Sequence, residues 1–600
     1  MYIKKKLKLT LLILCSAVLL SCGCSPARIT SNKINIELTE DEKAFDELSH
    51  EIFESHVNNS TLTLNHTLKE PSKYDIELDE ITWGDIPLTE EDFADEKDQT
   101  KDFLHRLNNI SGLFGERALT YDIAKYYLEA DLESYNYIYF TSNFEPMIGF
   151  QSQFPFTMSE YHFDDSEDVE EYLTLLETFR DYVKELLQFE NQKAAAGYGM
   201  CKSALEQAII ECHSFCDSVE NNLLIEVFPE NLKNVHISDA KKEAYIERNK
   251  EAIINSVIPA YTDIINTLTA QLETAPENGN LASYSGGQDY YRYLLRSSVG
   301  TDHTPEELIQ QLEERLNSDI LSLSSIMISS PDIFDKVADA QYSLTDPTQI
   351  LEHFKTTLTA EQFPKAPDAE YTLKQVHPSM SANLSPAMYL IPRIDDISNN
   401  QIYLNIIQEN NPNSGNALMP TIAHEGYPGH MYQMTYYYST DPDPLRTILA
   451  CDGYVEGWAS YAESLSYDYC GFSEDVADFY RISNLTMALN LYCRLDLGIH
   501  YENWDINQVT EFISRYLVLD EATVREIYNS ILFKPTNYLI YGVGMNEILD
   551  MREDMEKDMD ENFNIKEFHK RLLDLGPAPF PIVRKYITDS AVLDRKLSLN

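Results

Sequence analysis

The sequence predicts a large, mainly α-helical fold carrying one small β-sheet, on three observations. Apolar residues recur at helical spacing through residues 41–275, as in VEEYLTLLETFRDYVKELLQF. The segment HTPEELIQQLEERLNSDILSLSSIM begins as a helix should. Thr304 can cap it, Pro305 suits its first turn and Glu307 completes a capping box; Leu308, Leu312, Leu316 and Ile320 then fall on one face. Strand patterns are confined to three short runs, AEYTLKQV, PAMYLIP and NQIYLNII, each bounded by Pro, Asn or Asp. All three precede a histidine-containing segment, so the sheet is expected beside it.

Taken in chain order, residues 1–21 read as a signal peptide. Lys4, Lys5, Lys6 and Lys8 precede an apolar run from Leu9 to Leu20, too short to span a bilayer as a mature helix. The run ends in LLSC, which resembles the lipobox of bacterial lipoproteins. That resemblance implies cleavage before Cys22, lipidation of its thiol and an extracytoplasmic protein lipid-anchored to the cell membrane. Cys24 as the lipidated residue and an uncleaved anchor are the alternatives. Residues 22–40 read as a tether, 41–275 as an N-terminal helical region, and 276–600 as the region that carries the chemistry.

Composition narrows the partners. The 43% hydrophobic and 11% aromatic fractions suffice for a sizeable core. The net charge of −52 argues against nucleic acid or an anionic lipid surface as a partner and fits a solvated acidic exterior. The nine cysteines match no zinc ribbon; Cys212 and Cys216, four apart in CHSFC, read as small buried apolar residues. Oligomeric state leaves no mark on the sequence.

The segment TIAHEGYPGHMYQ (421–433) begins like the zinc-peptidase signature H-E-x-x-H, but its second histidine, His430, stands six residues after His424 instead of four. At ~100° per residue a spacing of four gives ~40° of rotation, whereas six gives ~600°, or about −120°. On a regular helix the two imidazoles cannot share a metal. Pro428 and Gly429 can break or widen the helix and swing His430 back. A helix that ends at Pro-Gly and leaves two surface histidines is the other reading. Met431, at seven, has the phase but is a poor zinc ligand. In the first reading His424 and His430 bind the metal, and Glu425 reaches the attacking water as general base.

A second segment, CDGYVEGWASYAESL, reads as a helix with Glu456 and Glu463 seven apart on one face. Glu456 is the candidate third ligand, as many zinc peptidases take a glutamate from the helix after the histidine helix. A solvated acid is the alternative.

Together these segments resemble a bacterial family known only as domain of unknown function 885. Its hallmarks stand here as HEGYPGH (His424 to His430) and EGWASYAE (Glu456 to Glu463). The resemblance extends to GGQDYYRYLLRSSVGTDHTPEEL and to CRLDLGIHYENW, with Asp496, Gly498, His500 and Trp504. It continues in YLIYGVGMNEILDMRE, with Tyr541, Gly544 and Arg552, and in FHKRLLDLGPAPFP. Many relatives carry a histidine right after the motif, where this chain has Met431. Members look like distant relatives of helical zinc metallopeptidases of the carboxypeptidase Taq and oligopeptidase groups. That likeness implies a large helical metallopeptidase-like fold with its small sheet beside the zinc-binding helix. It also implies a Zn2+ cofactor, a peptide substrate and a sheet edge, expected at NQIYLNII, that pairs with the substrate backbone. Tyr541 and His500 are the candidate donors to the oxyanion. The rival expectations are a non-catalytic metal- or peptide-binding lipoprotein, and a zinc hydrolase of non-peptide amides or esters.

Overall fold

Helix starts in the chain are written in capping residues. In the computed structural model, which describes residues 38–588 apart from 79, 217–221, 379–384, 406–417 and 450, the fold is mainly helical. The signal peptide, Cys22 and the tether up to residue 37 lie outside the described residues. Helix Ser166–Ala195 begins at a capping box between Asp165 and Asp168. The apolar stripe noted above becomes its buried face, including Val169, Tyr172, Leu176, Phe179 and Val183. Helix Pro305–Ser329 has the expected capping box between Thr304 and Glu307. Leu308, Leu312 and Leu316 are buried, but Ile320 is 36% exposed and Leu323 takes its place. Steps of four residues drift by ~40° each, so a stripe of pure fours winds off the core; the step of seven from Leu316 to Leu323 corrects the drift.

From Asp41 onward the chain forms one compact unit. The expected division at 275/276 is not a break in packing. The largest apolar cluster joins Phe179, Tyr261 and Leu268 to Leu316, Leu491 and Ile531, and each such fully buried side chain contributes roughly 1.5–3 kcal/mol. Among the described residues no helix is long and apolar enough to cross a membrane.

All three strand patterns form strands of one sheet: β1 (Tyr371–Gln375), β2 (Ala387–Leu390) and β3 (Asn400–Leu404), in the order β1-β3-β2. β1 runs parallel to β3, and β2 antiparallel to it with Tyr389 opposite Ile402. β3, the expected edge strand, is instead central and wholly buried. Its Asn-Gln-Ile-Tyr-Leu stretch is paired on both sides, and the strand that borders the histidine segment is β2.

Candidate metal centre

The histidine segment folds as the rotation arithmetic requires. One helix runs Leu418–Glu425 and ends on His424 and Glu425; the next runs His430–Ser439 and starts on the second histidine. Between them the backbone bonds span six residues instead of four: Gly429 N–H donates to the Ala423 carbonyl (2.9 Å) and Tyr432 N–H to the Gly426 carbonyl (3.1 Å). Two extra residues are thereby looped out, and His430 takes up nearly the phase that a spacing of four would give. The Tyr427–Pro428 bond within the loop is cis. The Trp458 indole N–H, nearly two turns into the neighbouring helix Asp452–Ser466, donates to the Pro428 carbonyl at 2.9 Å and ties the loop to the helix that carries Glu456.

Three ligand atoms converge as a result. His424 Nε2 lies 3.5 Å and His430 Nε2 3.3 Å from Glu456 Oε2. All three atoms lie within 4.8 Å of one another, and they form the one converging group of His, Cys, Asp and Glu ligands among the described residues. Zinc held at about 2.0–2.1 Å by tetrahedral ligands sets neighbouring donors about 3.3–3.4 Å apart, so the two histidine–glutamate edges already have the length of a zinc polyhedron. Glu456 Oε2 is moreover buried without a hydrogen-bond partner. A buried carboxylate oxygen that faces two imidazole nitrogens without a hydrogen bond from either is a ready place for a cation. The residues present therefore fit a zinc ion.

The surroundings favour positive charge. Burial raises the Glu456 carboxyl, but the His430 and His424 imidazoles outweigh it and hold the group well below the usual carboxylate range. Burial lowers His424, but Glu456, Glu463 and Glu425 outweigh it and raise the imidazole well above its ordinary value. Glu463, one helical stripe along from Glu456, places Oε2 3.2 Å from His424 Nδ1. This carboxylate fixes the ring so that Nε2 faces Glu456, as outer carboxylates do for metal-bound histidines. The sequence showed the shared face of Glu456 and Glu463; it did not show this orienting role.

Glu425 is buried, and its Oε2 accepts the Tyr389 N–H of β2 at 2.7 Å. Tyr541 stacks on His424 with ring centroids 6.1 Å apart. Its hydroxyl is held protonated by burial and then by the charges of Glu456 and Glu425. The helix bearing Tyr541, Asn537–Met559, approaches the Glu456 helix backbone to backbone, because Gly457 and Gly544 face each other. A Cβ on Gly457 would lie 2.4 Å from the Gly544 carbonyl carbon. The glycines of EGWASYAE and YGVGM are thus what bring Tyr541 to the cluster. Met431 is wholly buried in the apolar core.

His500 is placed elsewhere, and its expected role as oxyanion donor is corrected. It is fully buried; its Nδ1 accepts the Leu281 N–H at 3.3 Å and its Nε2 donates to the Ile531 carbonyl at 2.9 Å, so both nitrogens are occupied. Its motif is architectural. Asp496 accepts the Tyr291 hydroxyl (2.7 Å) and the Thr536 N–H (3.0 Å), which anchors the start of the Tyr541 helix. Gly498 leaves room for Trp504, whose ring would lie 2.3 Å from a Cβ there. Cys212 is buried in the largest apolar cluster as expected, whereas Cys216 is only partly buried against it.

Two solved structures share this architecture. The first is described as “the putative lipoprotein from Colwellia psychrerythraea”, with a TM-score of 0.80 and 17% identity, covering 93% of this chain and 100% of that one. The second is “a putative lipoprotein of unknown function from Shewanella oneidensis”, with a TM-score of 0.64 and 16% identity, covering 91% and 100%. At these identities the likeness is one of fold. No curated protein matches the chain. The sequence match runs over residues 77–587, and on it the chain belongs to the family described as Bacterial protein of unknown function (DUF885).

Proposed function

We propose that this protein is a zinc-dependent peptidase of the helical metallopeptidase kind, carried on a lipoprotein anchored through Cys22 and displayed outside the cytoplasmic membrane. The observation that carries the reading is the convergence of His424 Nε2 and His430 Nε2 on the buried Glu456 Oε2 at 3.5 and 3.3 Å, with Glu425 next to the first of them. The anchor rests on LLSC at Cys22 and on the word lipoprotein in the descriptions of both structural neighbours.

His424, His430 and Glu456 would hold the ion. When bound, zinc polarises a peptide carbonyl and acidifies water as a Lewis acid. Glu425 has Oε2 engaged by the Tyr389 N–H, which orients the carboxylate and leaves Oε1 to take a proton from the attacking water and hand it to the leaving nitrogen. Tyr541, kept as a phenol by its acidic neighbours, is the donor to the developing oxyanion. Glu463 holds the His424 ring in place throughout.

The test is a metal assay paired with a peptide-library digest on the soluble fragment lacking the first 22 residues. The proposal expects one zinc per chain and peptide cleavage in the wild type, and zinc without cleavage in Glu425→Gln, whose amide cannot serve as a base. A zinc-loaded wild type that cleaves no peptide in the library would overturn the peptidase reading in favour of a binding lipoprotein.

A further inference from the structure

A cavity of ≈ 330 Å³ has two lysines in its wall. Its size falls within the range of small-molecule sites, about 300–1,000 Å³. Aromatic side chains make up much of the wall, among them Phe140, Tyr198, Tyr284 and Phe533. Lys534 enters the wall from the turn just before the Tyr541 helix, and Lys193 enters it from the end of helix Ser166–Ala195.

The lysines are poorly compensated. Lys534 is half-buried, and its ammonium makes no hydrogen bond or ion pair of contact distance with any described residue. The acids that act on it through space are Glu456, Asp452 and Glu145. Glu456 belongs to the metal cluster, and Asp452 stands one turn before it on the same helix; Ser298 lines the cavity, and the carbonyl oxygen of the next residue, Val299, packs against that helix at Gly453, where a Cβ would lie 2.0 Å from it. Glu145, the acid within the cavity itself, is pushed up to about 7 by burial and carries only part of a charge at neutral pH. Lys193 is buried; its nearest carboxylate oxygen, Glu190 Oε2, is 3.9 Å away. The Glu190 carboxylate is already engaged through Oε1 by the Asn143 N–H at 2.7 Å and the Ser142 hydroxyl at 3.1 Å. Two ammonium groups in the wall of an aromatic-lined cavity, neither of them hydrogen-bonded to a carboxylate, suit an anion.

We infer that this cavity is a subsite of the metal centre that takes a carboxylate of the bound substrate, with Lys534 as its cation and Lys193 as the second positive charge behind it. The aromatic wall suits the apolar part of the group that bears the carboxylate. A carboxylate of this kind comes either from the free end of a peptide or from an Asp or Glu side chain. The inference deepens the peptidase reading and depends on it for the identity of the substrate, though not for the binding of the carboxylate.

Three acetylated tetrapeptides separate the outcomes: one ending in Phe with a free carboxylate, one in Phe amide and one in Asp amide. Wild type is expected to show a KM for the free acid at least tenfold below that for the Phe amide. Lys534→Met should erase that difference by raising the KM for the acid alone. If Asp amide behaves like the free acid, the subsite takes a side-chain carboxylate as well as a chain end; if it behaves like Phe amide, it takes the chain end alone, and both results support the subsite. An equal loss on all three peptides would make Lys534 a mere counter-ion of Asp452 and Glu456 and would overturn the inference, as would an unchanged KM for the acid. Calorimetric titration with N-acetyl-phenylalanine and with its amide needs no turnover. Preference for the acid that vanishes in Lys534→Met in a protein that cleaves nothing would keep the subsite while removing the peptidase reading. Should Lys534→Met fail to fold by circular dichroism, Lys193→Met is expected to weaken acid binding in the same direction, and no weakening there would count against the subsite.

Discussion

Gly429→Ala perturbs the centre without touching a ligand. A Cβ built on Gly429 lies 1.7 Å from the His424 carbonyl oxygen and 2.5 Å from that of Ala423, and all of these are backbone atoms. Ordinary contact begins near 3.4 Å, so the loop must open by about 1.7 Å to admit the methyl group. That opening separates His424 from His430, which stand on its two sides. Metal ligands tolerate displacements of about 0.2 Å, and one imidazole would therefore leave the coordination sphere. Orienting partners alone are worth about 10–100-fold in metal affinity; the loss of a ligand should cost at least about tenfold. Overpacking should lower stability by about 1–3 kcal/mol. The assay is a zinc competition titration against a chromophoric chelator, with urea unfolding of the same samples. Pro428→Ala combined with Gly429→Ala should weaken zinc further, because alanine favours the regular helix on which the histidines face apart. Wild-type zinc affinity in Gly429→Ala would refute the claim that this six-residue loop is what brings His430 to His424.

Three further outcomes are expected. Glu463→Gln, which leaves the ligand set intact but weakens the hold on His424 Nδ1, should lower zinc affinity by about 10–100-fold, as read by the same competition titration. His500, pushed by burial from 6.5 down to about 4, makes stability depend on pH: the unfolded chain takes up a proton below pH 6.5 that the folded one refuses, so its contribution is present above 6.5 and lost as pH falls toward 4. The stability gap between wild type and His500→Gln in urea should accordingly shrink by about 3 kcal/mol from pH 7 to pH 4; a gap that stays constant would show that the imidazole is not held neutral. Cys22→Ala should release or mislocalise the protein with its fold unchanged, as followed by membrane fractionation; retention of the alanine variant with its signal uncleaved would refute lipid anchoring at Cys22.

The legible parts of the molecule were those governed by local rules. The helix at Pro305 announced itself in Thr304, Pro305 and Glu307 because capping is settled within four residues. The three strands were visible because turn residues bracket them. The broken helix at Gly426–Gly429 followed from rotation alone: two histidines six apart can meet only if the helix is irregular. What stayed hidden depends on which elements meet in space. Strand order is not set by chain order, so β3 was mistaken for the edge that β2 provides. His500 stands in a motif as specific as that of His424, but spacing cannot tell a histidine clasped by Leu281 and Ile531 from one that faces a site. The approach of Gly457 to Gly544 joins residues 87 positions apart, a distance that no pattern within either helix encodes.

The most direct test of the central claim is X-ray absorption at the zinc edge on the soluble fragment, for the wild type and for His430→Ala. The wild-type spectrum is expected to show two imidazole nitrogens with carboxylate and water oxygens at about 2.0–2.1 Å, and that of His430→Ala one imidazole fewer, with weakened binding. A sulfur-containing shell, or a shell identical in the two proteins, would contradict the assignment of His424, His430 and Glu456 as the metal centre.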